Sequence, residues 1–236
     1  MGIHRTCLGF VVGLAIVAIG CASFKPTTSV LDLLKAQQPT VRQTNANFEI
    51  SVEEFASADK SRKAFDTDLI PHGVLPLLLR LDNRGTSNVL VTEKDVTANL
   101  NGQALPQIPG IDVAREAAAR DTAGRATAWT LVMGPFALIF WPVTISVSAL
   151  HTKDVNQSID DHFQNFDMGR VLVKPNQIAG GFYFFGLPAG ARVLDKLVLE
   201  VQAKEVEHST PLKFTLAFPR LELSSTVSSP IVLVPE

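Results

Sequence analysis

"VLPLLLRLDNRGTSNVLVTEKDVTANLNG", residues 74–102, decides the fold class. Leu75, Leu77, Leu79 and Leu81 fall on one face and Arg80 and Asp82 on the other, the period of two that marks a β-strand. The run stops at Asn83-Arg84-Gly85, where Asn and Gly suit a turn with positive φ. Pro76 cannot donate to a ladder, which predicts an edge strand with the proline near its start. "NVLVT" then gives a short strand, Val96, Ala98 and Leu100 alternate inward, and Asn101-Gly102 predicts a two-residue hairpin.

The same pattern extends in both directions. Upstream, Phe48, Ile50 and Val52 alternate with Glu49, Ser51 and Glu53, and "ADKSRKAFDTDLIPHG" (58–73) reads as a polar connection. Downstream, "VLVKPNQIAGGFYFFGLP" holds two strand segments, with the aromatics 182–185 on both faces. Leu197, Leu199, Val201 and Ala203 form the inward set of another strand, and Leu212, Phe214, Leu216 and Phe218 that of the next. About seven or eight short strands result, the number expected of a two-sheet sandwich of immunoglobulin-like kind.

Residues 111–167 change character. "IDVAREAAARDTAGRATAW" is alanine-rich and favours helix, and Val155, Ile159, His162, Phe163 and Phe166 share one face of a second helix. Between them residues 126–150 carry no charge, with breaks at Gly134-Pro135 and Trp141-Pro142. A single membrane-crossing helix would hold two prolines and would separate the two β blocks across the bilayer. A hairpin turning near Gly134-Pro135 has arms of about 11 residues, or about 16 Å, close to the roughly 15 Å of one leaflet's hydrocarbon. In that reading Trp129, Leu131, Phe136, Ile139, Phe140 and Trp141 meet lipid. In the other, the hairpin packs on the sandwich or on a second subunit.

At the N-terminus, Arg5 precedes an apolar stretch from Cys7 to Gly20, too short to span a bilayer and suited to a signal peptide. Ala18-Ile19-Gly20-Cys21 resembles the lipobox of bacterial lipoproteins, with alanine where that family usually has leucine. The resemblance implies cleavage before Cys21 and its acylation, and the absence of aspartate just after it implies sorting to the outer membrane. Gly2 and Thr6 also fit a myristoylation pattern, which would leave the apolar stretch behind them without a use. Loss of the first 20 residues leaves one cysteine, so internal disulfides, cysteine-rich zinc sites and CxxC pairs are excluded. Without Arg5, 20 of the 21 basic residues face 23 acidic ones, a net charge of −3, and no basic stripe points to nucleic acid.

Motifs that would carry catalysis are absent: there is no GxSxG, HExxH, GxGxxG or Walker sequence. Asp160, Asp161 and His162 are adjacent on a helix and point about 100° apart, so they do not converge. Asp66 and Asp68 lack calcium-loop spacing, and His208 with Ser209 reads as a loop. Asn156-Gln157-Ser158 matches a glycosylation acceptor but falls on the second helix. "GGFYFFG" is either a buried strand, with glycines where another backbone approaches, or an aromatic ligand platform.

Taken with "PNQIAGGFYFFGLP", the stretch 74–102 resembles uncharacterised bacterial lipoproteins with an immunoglobulin-like domain. The resemblance covers most of residues 46–218 and implies fold and location but no activity.

The expected organisation is a signal peptide (1–20), a lipid-anchored tether (21–46), the first half of a mainly β, immunoglobulin-like antiparallel sandwich (47–110), an apolar α-helical hairpin insertion (111–167), the second half (168–225) and a tail (226–236). The expected role is a cell-envelope structural or interaction module. It would sit at the outer membrane, facing the periplasm or the surface, with the membrane and an envelope protein as partners. It would have no catalytic residues, metal or cofactor. The alternative is a carrier of a lipid or other hydrophobic ligand.

Overall fold

Residues 28–114, 157–208 and 211–227 are described by a computed structural model. In chain order the elements are α1 (Val30–Ala36), β1 (Val41–Asn45), β2 (Phe48–Glu54), α2 (Ala58–Phe65), β3 (Val74–Asn83), β4 (Val89–Val91), β5 (Val96–Leu100), β6 (Gln103–Leu105), β7 (Gln107–Ile108) and α3 (Gly110–Val113). Beyond residue 156 come α4 (157–166), β8 (Val171–Val173), β9 (Gln177–Gly186), β10 (Val193–Leu194), β11 (Leu197–Glu205), β12 (Pro211–Ala217) and β13 (Leu221–Glu222). The chain is mainly β. Among the described residues the strands pair antiparallel and the helices are short.

One sheet runs β1-β2-β3-β9-β7. In the other, β11 carries β12 on one side and both β5 and β4 on the opposite side, flanked by β6 and β8. The two sheets share one core. Ile50, Val52, Leu77, Leu79, Tyr183 and Phe185 from the first meet Val96, Leu199, Val201 and Phe214 from the second. These positions alternate along their strands as the sequence pattern requires, and each buried aliphatic side chain contributes about 1.5–3 kcal/mol.

The first sheet is covered on its other face too. Leu78, Phe182 and Phe184 pack under a helical layer that supplies Leu33 and Leu34 of α1, Phe65 of α2, Val113 of α3 and Ile159, Phe163 and Phe166 of α4. This second core explains why β3 is buried almost throughout, with only Arg80 partly open. A strand covered on both faces reads as an apolar run rather than an alternation.

Several sequence expectations are corrected here. β3 is not an edge strand, because it lies between β2 and β9. Pro76 pairs with Phe184 on β9, and its carbonyl accepts from Phe55 N at 3.0 Å just beyond the last β2 pair, Glu54 with Leu77, so its missing N–H faces the side on which the β2 ladder ends. The tether region 21–46 contributes α1 and β1 to the body, so the folded part begins well before residue 47. The supposed polar connection 58–73 contains α2, capped by Ser57, whose inward face is Ser61, Ala64 and Phe65. Short extra strands raise the number above the seven or eight expected. The Asn101-Gly102 hairpin holds, with φ of 54° and 81° and Leu100 opposite Gln103.

The turn after β3 works differently from expectation. Neither Asn83 nor Gly85 has positive φ. Instead the Asn83 side chain, 1% exposed, organises the loop: its Oδ1 accepts from Gly85 N at 3.0 Å, and its Nδ2 donates to Ser87 O at 2.8 Å and Val173 O at 3.0 Å. One amide thus fastens the first sheet to β8 of the second. Asn83→Leu leaves these backbone groups without partners, and we expect a loss of roughly 2–4 kcal/mol. It is read as a lowered urea midpoint at unchanged slope; a loss under about 1 kcal/mol would contradict the assignment.

Candidate functional site

The candidate site is a groove between α1 and α4. The chain enters it at Thr28. Ser29 then caps α1, accepting from Asp32 N at 3.2 Å while its hydroxyl donates to Asp32 Oδ2 at 2.7 Å. The spacing Ser29-Val30-Leu31-Asp32 carries this cap in the sequence. The groove is open, about 470 Å³ in volume, and is lined by Thr28, Ser29, Val30, Leu31, His162, Asn165 and Phe166.

α4 is held down by its apolar face. Ile159 is 1%, Phe163 0% and Phe166 3% exposed, as the spacing read from the sequence requires of them, and Val155 lies outside the described residues. Phe65 of α2 stacks on Phe163 with ring centroids 5.3 Å apart, and Phe166 stacks on Phe182 at 5.5 Å. The Asp167 carboxylate accepts from Gly110 N at 2.8 Å, which ties the exit of α4 to the entrance of α3. The two stems of the insertion therefore rise from one place on the first sheet.

His162 lies between α4 and α2. A carbonyl can only accept, so the 2.8 Å contact fixes Nε2–H donating to Ala64 O. The imidazole lies against Phe166, with centroids 3.9 Å apart. Burial lowers its pKa from the ordinary value of 6.5, and the bond to Ala64 opposes this only in part. The neutral form is favoured in the folded state, so stability is fullest above about pH 6.5 and declines as pH falls below it. Thermal unfolding between about pH 8 and about pH 5 should show a larger loss for the natural chain than for His162→Gln, which keeps a donor for Ala64 O. Equal losses would remove His162 from the account.

The other sequence candidates do not assemble a reactive centre. Asp161 is exposed while His162 turns toward α2, so the Asp160-Asp161-His162 trio diverges. Asp66 ends α2 at φ 58°, and Asp68 accepts from Ile70 N at 3.2 Å and Ser224 Oγ at 3.3 Å. His208 Nδ1 meets Ser87 Oγ at 3.4 Å on an exposed loop, and Ser209 lies outside the described residues. Among the described residues no group of three or more His, Cys, Asp or Glu could hold a metal. The aromatics 182–185 are 0–1% exposed, Phe182 and Phe184 under the helices and Tyr183 and Phe185 between the sheets. They offer a ligand no open face, which removes that support from the carrier alternative. Tyr183 donates to Gly169 O at 3.2 Å, and burial, with the nearby Asp167 carboxylate, pushes its phenol well above the ordinary range.

Comparison with solved structures adds a likeness. No family model matches the chain, and no curated protein matches it. A solved structure of YcdA from Bacillus subtilis, assigned as a lipoprotein, is similar at 11% identity with a TM-score of 0.39, covering 80% of this chain. The chain spans 40% of that protein's length.

Residues 1–20 and Cys21, the uncharged run 126–150 with Trp129, Leu131, Phe136, Ile139, Phe140 and Trp141, and the residues beyond Val227 lie outside the described residues. Among the described residues no helix is long and apolar enough to cross a membrane.

Proposed function

We propose that this protein is a lipid-anchored component of the bacterial cell envelope, held at the outer membrane through acylated Cys21. It acts as a structural or interaction module without chemistry of its own. One observation supports this most: the two lipid-directed stretches join the body side by side. The chain leading from Cys21 enters at Thr28 against His162, Asn165 and Phe166, and α4 is one of the two stems that bear the insertion containing 126–150. A body gripped twice from one side suits a module oriented on a membrane.

We further read the two sheets as an immunoglobulin-like sandwich. In that fold strands A, B, E and D form one sheet and C, F and G the other. Assigning β2, β3, β9 and β7 to the first set and β5, β11 and β12 to the second reproduces both spatial order and chain order. The insertion then lies between strands D and E, a loop position where added chain leaves the sandwich intact.

Labelling with a palmitate analogue tests the anchor. Label should enter the natural chain and be lost in Cys21→Ala; absence from the first, or persistence in the second, overturns it. The same variant tests the insertion: if it is wholly soluble, leaflet insertion by 126–150 is wrong.

A further inference from the structure

We propose that α1 docks on the lipid–water interface, with Leu31 entering the headgroup boundary of the bilayer that holds Cys21. This deepens the anchored reading above and rests on it. Leu31 is 68% exposed, the most open large apolar side chain among the described residues, while Leu33 and Leu34 of the same helix are 8% exposed and fasten it to the body. A single exposed leucine is ordinary on a protein surface. Its position is what carries the inference.

Seven chain steps lead from Cys21 to Thr28. Fully extended they reach at most about 25 Å, and Leu31 follows Thr28 by one helical turn. α1 lies on the outside of the first sheet, with Leu34 against Gly180 of β9. Packed sheets are about 10 Å apart, so the open face of the second sheet lies behind the helices, the first sheet and the second sheet in turn. A leash of about 25 Å that starts in the helical layer has to round the whole body to set that far face on the bilayer. The helical layer is the side within reach.

The outward face of α1 suits that boundary. Lys35 follows Leu31 by four residues, on the same side of the helix, and is also exposed. Its ammonium can remain among lipid phosphates while its stem and the leucine cover apolar surface. Asp32, the exposed acid of the same helix, is engaged by the Ser29 hydroxyl at the cap. Val30 and Phe166 on the groove wall continue the apolar surface inward from Leu31.

The test uses the full chain, reconstituted in vesicles of phosphatidylethanolamine and phosphatidylglycerol that carry a nitroxide lipid. One environment-sensitive fluorophore is placed on Leu31→Cys, or on Gln202→Cys at the open centre of the second sheet, since acylation consumes Cys21. The mass of the N-terminal peptide reports acylation independently. Expected is a blue-shifted probe at position 31, quenched severalfold more than at 202. Acylated protein with equal quenching at both positions overturns the docking of α1 and leaves the anchor standing. Protein without the acyl group overturns the anchor, and the docking falls with it.

Discussion

Phe65→Ala is expected to destabilise the protein by about 3–5 kcal/mol, the cost of emptying a phenylalanine site in a core that cannot close over it. Phe65 is 0% exposed and stands at the centre of the helical layer. Its ring meets Phe182 at 4.9 Å, Phe163 at 5.3 Å, Phe184 at 5.6 Å and Phe166 at 5.7 Å between centroids. Phe182 and Phe184 are fixed on β9, a strand paired on both sides, so collapse into the hole is limited. The lost area and the lost edge-to-face contacts add.

The effect should also be localised. α2 and α4 meet through this ring and through His162 and Ala64, whereas the core between the sheets does not contain it. Hydrogen exchange in Phe65→Ala should quicken in α2 and α4 while the amides of β11 and β12 stay protected. A uniform rise in exchange would mean that the two cores are one cooperative unit. A loss below about 2 kcal/mol would mean that the ring site can refill.

How much of this was legible depends on which face of an element is buried. β2, β5, β11 and β12 were readable because one face meets the core and the other meets water or polar groups, which gives a clean alternation. β11, for example, alternates buried and open positions from Leu197 to Lys204. β3 was readable as a strand but misplaced at an edge, because the rule about proline presumes a ladder on both sides at that residue. α2 was missed altogether. Its eight residues include Lys60, Arg62 and Lys63, so composition read as polar, and only the Ser57 cap with the Ser61, Ala64 and Phe65 spacing could have revealed it. The site was half legible. The apolar face of α4 came from its spacing, but the meeting of residues 28–31 with 162–166 is a contact more than 130 residues apart in sequence, which no local pattern encodes.

Gly180→Ala should be the most damaging single-methyl change in the described chain, costing more than about 4 kcal/mol or preventing folding outright. A Cβ built there would run into Leu79 O and lie 2.6 Å from Leu34 Cδ2. The second contact is with the tip of a flexible side chain. The first is with the backbone of β3, which is held in register with β9 from Val74–Gly186 to Asn83–Gln177. Relief would have to part those two strands at the middle of the first sheet, so both cores would suffer. The double variant Gly180→Ala with Leu34→Ala separates the two contacts. If the carbonyl carries the clash, removing the leucine restores nothing and adds its own loss. If the leucine carries it, the double variant is more stable than Gly180→Ala alone, and the close approach of β3 to β9 is the wrong explanation. Under the first outcome Gly180 is a requirement of the first sheet itself, since it lets β3 and β9 meet closely with Leu34 of α1 packed against them.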